Sequence, residues 1–318
     1  MTMASKKTQR FSPSQSLGSL DNTSIHQYLV DIDDVDSAEY FRDDYAAGHN
    51  LPVPLVARSW QHTGLAIGFI EPGSTRSADI VNALAITPDI DLIESRIKIT
   101  FDKFFVHQYP GLGTHNILCE FAGKNQLPSE AEEMRFALNT SARDGNSTGI
   151  ASQPIFMGVT VGADGISFEG RTVNVCSSAD DEILKALDSP AFKAGLALVT
   201  SVQPALKPFT GLATSVVHSA ASRARNKQVH SFNVGLDFSS TSTSAKMRLG
   251  SYLIVQTDGT NWSWSDFIWD CNSASLRHKH NSSHVLANYM VFGVSPFHAP
   301  ATSPTTKPAR KRSQANSS

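Results

Sequence analysis

Three histidines in the last fifth of the chain are the best candidates for a chemical site. His278 and His280 are one residue apart, and His284 follows four residues later. Side chains two residues apart on a β-strand point to the same face, so both imidazoles could bind one metal ion. His284 could fold back as a third ligand, and histidine nitrogen is a usual ligand of zinc. The spacing therefore suggests a zinc site.

A hydrolytic zinc site also needs a general base, and the sequence near the histidines does not supply one. Asp270 is the last acidic side chain of the sequence. The base would have to be Asp270 itself or a residue from elsewhere in the fold, such as His230, Asp237 or His298. A metal-dependent hydrolase using His278, His280 and His284 is therefore one hypothesis, and exposed histidines beside a loop are the simpler interpretation.

Three of the four tryptophans lie close together, just before the histidines. They are Trp262, Trp264 and Trp269. The alternation of Trp262 and Trp264 after the Asp258-Gly259 turn is typical of a strand with both rings on one face. Such a pair can form a stacking platform or anchor a protein interface, because large aromatic side chains dominate interface energetics. Packing in a core is the alternative.

Motifs for nucleophilic or nucleotide chemistry fail on inspection. Gly111-Leu112-Gly113 lacks the third glycine of a dinucleotide loop. Gly165-Ile166-Ser167-Phe168 is followed by Glu169, where a nucleophile elbow has glycine. The leading hypothesis is therefore a non-enzymatic module that binds a protein partner, with Trp262, Trp264 and Trp269 as its contact surface.

The elements that would hold these residues are mainly β-strands. Apolar and polar residues alternate over Ile97–Phe101, Ile117–Phe121 and Phe232–Phe238, as in half-buried strands, and more weakly over Ile25–Ile32. Asp164-Gly165 is a strong hairpin signal. Around eleven strands at short intervals predict an antiparallel β-sandwich over residues 25–299. The strands around Ile97–Phe121 are loosely similar to C2-type sandwiches, an analogy of architecture from which no residue is carried over.

A helical insertion interrupts this β pattern at residues 178–227. Phe192, Leu196 and Val199 have the spacing of a buried helix face, and Leu212, Val216 and Ala220 repeat it. Pro190, Pro204 and Pro208 divide the insertion into two or three short helices. Its uncharged runs are far short of the roughly 20 apolar residues of a membrane-spanning helix. No transmembrane segment is expected, and a membrane-active role for the insertion is an alternative.

Composition limits the partners and the compartment. The formal net charge of −2 gives no overall field for nucleic acid, and three scattered cysteines indicate a reducing, cytoplasmic location. Residues 1–24 and 300–318 are polar and predict disordered tails. The second of these tails carries four cations, Lys307, Arg310, Lys311 and Arg312. They could contact nucleic acid or an anionic membrane, so a nucleic-acid-coating structural protein is a further alternative.

Overall fold

Sixteen strands and three α-helices make up most of the described part of the chain. The computed structural model describes residues 12–42, 57–126, 131–176, 184–188, 196–197, 206–259 and 262–298. The helices are α1 (Asn22–Asp31), α2 (Val35–Ala38) and α3 (Leu206–Ala221), and the strands are β1 (Leu65–Ile70), β2 (Ser77–Asp79), β3 (Val81–Asn82), β4 (Arg96–Val106), β5 (Thr114–Gln126), β6 (Ala131–Arg143), β7 (Asn146–Ser147), β8 (Gln153–Thr160), β9 (Ile166–Asn174), β10 (Leu196–Ala197), β11 (Lys227–Asp237), β12 (Ala245–Lys246), β13 (Gly250–Gln256), β14 (Phe267–Asp270), β15 (Ser275–His278) and β16 (Tyr289–Pro296).

Three sheets are formed by these strands. The central sheet has the order β10-β8-β4-β16-β13-β1-β3, with β7 paired to β4. The helix-side sheet has the order β12-β11-β9-β5-β6, and the small sheet has the order β15-β14-β2. Apart from the two-residue strands β10 and β12, which pair in parallel, the pairings are antiparallel. The predicted antiparallel sandwich with a helical insertion is therefore confirmed.

The core between the central and helix-side sheets is built on phenylalanine. The ring of Phe292 stacks on Phe101, with centroids 5.0 Å apart, and meets Phe121 and Phe168 edge-on at 5.5 and 5.3 Å. Such ring pairs each contribute about 0.5–1.5 kcal/mol beyond the burial of their area. Because Phe101, Phe121 and Phe168 belong to β4, β5 and β9, this single cluster joins the two sheets.

A β-bulge in β4 decides which side chains face each way. The register to β16 pairs Phe101 with Phe292 and Lys103 with Val291, so Asp102 is the extra residue. Phe101 and Phe104 consequently both face the phenylalanine core, and Lys103 and Phe105 face the opposite side. The strand also continues through Val106, beyond the alternation at Ile97–Phe101.

Asp164-Gly165 forms a turn, but not the predicted hairpin. The amide of Gly165 donates to the Gly162 carbonyl at 2.9 Å. However, β8 belongs to the central sheet and β9 to the helix-side sheet, so the turn carries the chain from one sheet to the other. β8 and β9 do not pair with each other because each already has a neighbour on both sides: β8 lies between β10 and β4, and β9 lies between β11 and β5.

The small sheet covers part of the other face of the central sheet and encloses a second apolar core, here named the outer core. Leu276, Phe267 and Trp264 pack there against Val291 and Leu253. The central sheet is therefore buried on both faces in this region. This explains the near-continuous apolar sequence of β13 and β16, where both faces of the strand are in contact with protein.

Helix α3 lies on the outer side of the helix-side sheet, against β6 and β5. Its buried residues Ala213, Val216, Val217 and Ala220 have the i, i+3, i+4, i+7 spacing of one helix face. Pro208 lies inside the first turn of α3, where a missing N–H is tolerated, so it does not break the helix as predicted.

Other parts of the predicted insertion differ from the prediction or cannot be compared with it. Leu196 lies on β10, which pairs with β8, so the helix predicted through Phe192, Leu196 and Val199 is wrong at that residue. Phe192 and Val199, like Pro190 and Pro204, lie outside the described residues. In the described part of the chain, no helix has the length and hydropathy needed to cross a membrane.

Residues 12–42 form an N-terminal arm that covers one end of the sandwich, here named the capped end. Leu17 is fully buried, and the Gln228 side-chain amide donates to the Ser12 carbonyl at 2.8 Å. Asn174, at the end of β9, donates to the hydroxyl of Tyr28 on α1 at 3.1 Å. The prediction of a disordered tail through residue 24 is thus wrong for residues 12–24, where isolated apolar residues pack on the core. Residues 1–11 and 300–318 lie outside the described residues.

Candidate functional site

The tryptophans predicted as a contact surface pack between the small sheet and the central sheet. Trp264 begins a short 3-10 helix instead of lying on a strand, and it is only 8% exposed. Its indole lies directly over Gly68 of β1, where a Cβ atom would come within 2.8 Å of the ring. Trp262 is partly buried and stacks on Phe267, with ring centroids 4.5 Å apart. Trp262 and Trp264 therefore do not form an open stacking platform.

Trp269 lies on β14 and faces the same outer core. Its ring meets that of Tyr289 edge-on at 6.5 Å, and it is partly buried. The Tyr289 hydroxyl accepts a hydrogen bond from the Leu276 amide, and burial raises the pKa of that phenol to about 12. All three tryptophans thus help to attach the small sheet to the central sheet.

The three histidines predicted as zinc ligands do not come together. β15 ends at His278, so His280 is an exposed turn residue and does not share a strand face with His278. The His278 ring packs on Phe267 with centroids 4.8 Å apart, whereas the His284 ring stacks on Phe105 at 5.7 Å. Within the described ranges, no three His, Cys, Asp or Glu side chains lie close enough to hold a metal ion.

The charge around His284 also disfavours a cation. Burial lowers the pKa of His284, and the positive charges of Arg277 and Lys103 lower it further. A metal ion at this position would meet the same repulsion. Arg277 lies next to His278 in the sequence, but Lys103 comes from β4, so this electrostatic environment could not be read from the histidine spacing.

A polar pocket in the interior was missed by the sequence analysis. It is lined by His230, Thr172, Gln256 and Asn288 among apolar residues, and has room for about one water molecule. The imidazole of His230 lies 3.4 Å from the Gly64 carbonyl, and burial lowers its pKa to about 4. His230 lies two residues before Phe232 on β11, so the alternation of this strand was the signal that could have placed it inside. A pocket of this size is too small for a substrate.

The central sheet separates His230 from His278 and His284. His230 lies in the pocket between the central and helix-side sheets, whereas His278 and His284 pack on Phe267 and Phe105 of the outer core. It therefore cannot act as the base of a site formed by those two residues.

Four large exposed apolar side chains lie at the capped end. Val35 and Leu112 are 54% and 66% exposed, and Val30 and Tyr40 are also large and exposed. Their segments are tied together, because the Asp34 carboxylate accepts a hydrogen bond from the Gly111 amide at 3.1 Å. These four residues, Val30, Val35, Tyr40 and Leu112, are named the capped-end surface.

Acidic side chains lie beside the capped-end surface, and the guanidinium of Arg58 lies over its Tyr40 ring, 5.2 Å from the centroid. Residues 31–41 contain no Lys or Arg, and four of their five acidic side chains are exposed, namely Asp31, Asp33, Asp36 and Glu39. Asp34, by contrast, is buried and caps α2 by accepting from the Ser37 amide. Arg225 approaches Asp33 at 3.5 Å, and Arg42 pairs with Glu39 at 3.1 Å. The surface thus combines exposed apolar side chains with an acidic border.

Comparison of the chain with protein-family models, with curated proteins and with solved structures finds no match to any of them.

Proposed function

We propose that this protein acts by binding another protein and not by catalysis, and that the capped-end surface is its contact surface. The observation that carries the proposal is that Val30, Val35, Tyr40 and Leu112 are exposed on segments that the hydrogen bond from Gly111 to Asp34 holds together, beside several exposed carboxylates. Exposed apolar residues that cluster and are rimmed by polar groups mark protein interfaces, whereas isolated ones carry no such meaning.

The acidic border defines the chemistry of the partner. A partner surface with apolar side chains at its centre and Lys or Arg at its edge would match the capped-end surface in both respects. Opposite charges at the rim of an interface chiefly accelerate association and select the partner, while the apolar centre supplies most of the affinity. Cys119, Cys176 and Cys271 are free thiols, which supports the cytoplasm as the proposed compartment.

Site-specific photo-crosslinking can identify this partner. A photoreactive amino acid is placed at Val35 and, in a second variant, at Leu112. The control carries it at Val81, an exposed apolar residue on β3. The proposal expects one common protein to be crosslinked from positions 35 and 112 but not from position 81. If the two positions capture no common protein, the proposal is rejected.

The partner is then purified and its affinity measured by calorimetry. The V35D/L112D variant should bind at least about tenfold more weakly than the wild type, because truncating a central interface residue costs about 1 kcal/mol or more. V81D should bind like the wild type. D31N/D36N should mainly slow association and reduce its dependence on salt. Unchanged affinity of V35D/L112D would exclude the capped-end surface.

A further inference from the structure

Two cationic side chains and a histidine, from different elements, lie near one another on the outer-core side of the central sheet. Lys103 lies two residues from Phe105 on β4, and both side chains leave the same face. His284 stacks its ring on Phe105 with an interplanar angle of 6°. Arg277 on β15 forms a backbone bridge with His284. Lys103, Arg277 and His284 are named the cationic cluster.

The guanidinium of Arg277 is held in place by neutral groups. Its Nε donates to the Ser275 hydroxyl at 2.9 Å, and Nη1 donates to the Ser282 carbonyl at 3.1 Å. Nη2 lies 3.5 Å from the Ser273 hydroxyl. These contacts fix the orientation of the guanidinium without neutralising its charge.

No carboxylate is paired with the cationic cluster in the described part of the chain. The ion pairs found there involve neither Lys103, Arg277 nor His284. Asp270 forms no ion pair with Arg277: the Ser273 hydroxyl stands between them and donates to Asp270 Oδ2 at 2.7 Å. That hydrogen bond, and to a lesser extent the charge of Arg277, lowers the pKa of Asp270. Burial and the charge of Arg277 both lower the pKa of Lys103. The like charges therefore repel each other, and a bound anion would relieve the repulsion.

We propose that the cationic cluster binds a phosphate group. The planar fork of Arg277 matches the geometry of phosphate oxygens, Lys103 supplies a compact positive charge, and the His284 ring supplies an N–H donor. Phe105 holds the imidazole in position from below. The site is separate from the capped-end surface, so it can be tested without knowledge of the protein partner.

Calorimetric titration with inorganic phosphate, at ionic strength held constant with sodium chloride, tests the proposal. The wild type is expected to bind saturably in the millimolar range. K103Q and R277Q should each bind about tenfold more weakly, since each loses one charge-assisted hydrogen bond. The matched control is R248Q, which removes one positive charge from an arginine paired with Glu71 at 3.3 Å. R248Q should bind like the wild type.

The protonation of His284 provides a second readout. Its proton NMR titration should move to higher pH in saturating phosphate, because a bound anion stabilises the imidazolium. Circular dichroism establishes whether each variant is folded. If R277Q does not fold, K103Q alone still tests the proposal. The proposal is overturned if the wild type shows no saturable binding, if K103Q binds as tightly as the wild type, or if the His284 titration does not move.

Discussion

His230 is a buried imidazole without a carboxylate partner in the described part of the chain. Its ring lies 3.4 Å from the Gly64 carbonyl, and the residues around the pocket are apolar or neutral. Burial therefore dominates and lowers its pKa to about 4, against an ordinary value of about 6.5. The unfolded chain takes up this proton more readily than the folded chain does.

Acid should consequently destabilise the protein through His230. Its contribution is complete above pH 6.5, where the imidazole is neutral in both states, and declines as the pH falls towards 4. Between about pH 7.5 and 4.5 the wild type should lose about 2–3 kcal/mol of unfolding free energy more than H230Q does. Urea denaturation at the two pH values measures this difference.

The exposed His218 on α3 supplies the control for this measurement. H218Q should show the same dependence of stability on pH as the wild type, because it removes an exposed histidine and leaves His230 in place. If H230Q retains the full dependence of the wild type, His230 is not the group responsible.

For single residues, the sequence predicts whether a side chain points inward better than it predicts which residues contact that side chain. The alternation over Phe232–Phe238 predicted a half-buried strand, and His230 lies on the inward face of that strand. The stacking of His284 on Phe105 could not be predicted from the sequence, because the two residues are far apart in the chain and come together only in the folded sheets. The zinc site was predicted from local spacing, and local spacing carries no information on Lys103.

The turn at Asp164-Gly165 is a short link between the two principal sheets. Gly165 has a φ of +88°, and a Cβ atom at this position would lie 1.9 Å from the Leu236 carbonyl oxygen. Two constraints therefore act on one residue: a left-handed backbone and a close contact with β11. Only glycine satisfies both.

Replacement of Gly165 by alanine should therefore cost more than the backbone conformation alone. The left-handed conformation costs a residue with a Cβ atom about 1–2 kcal/mol, and the contact with Leu236 forces β9 and β11 to shift in addition. G165A should lower the free energy of unfolding by about 3 kcal/mol or more, measured by urea denaturation.

Gly145 offers a matched control, since its φ is +75° and no atom lies within 4 Å of the position that a Cβ would occupy there. G145A should cost only the conformational term, about 1 kcal/mol. Equal losses in G165A and G145A would show that the contact with Leu236 is unimportant.

Among the elements, the strands were predictable and their partners were not. Alternation located β4, β5 and β11, because a sheet face in contact with a core imposes period two. The distribution of strands over three sheets depends on contacts between distant segments. Ile25–Ile32 was wrongly predicted as a strand, because the few apolar residues of α1 pack on a surface that exists only after the sheets have formed.

For the molecule as a whole, the central sheet is shared by two cores. Phe292 and Val291 are neighbours on β16, yet they belong to the phenylalanine core and the outer core respectively. Neither core can be lost without exposing one face of the same strand. The two cores are therefore expected to unfold together.

The W60F variant tests this cooperativity. Trp60 is buried in the phenylalanine core, whereas the other three tryptophans lie around the outer core. Fluorescence of W60F therefore reports the outer core, and far-ultraviolet circular dichroism reports mainly the central and helix-side sheets. The two thermal transitions should coincide, as expected for a two-state protein. A fluorescence transition at a clearly lower temperature would mean that the small sheet unfolds separately.

The path of the chain through the sandwich has a practical consequence for handling the protein. Ser12 lies at the capped end, while Phe297 bonds to Arg96 at the opposite end of β4, about 35 Å away for a strand of this length. An affinity tag or fluorescent reporter fused directly after His298, the last described residue, would therefore leave the molecule at the opposite end from Val35 and Leu112. Immobilisation on a sensor chip through that tag would present the capped end to the solution.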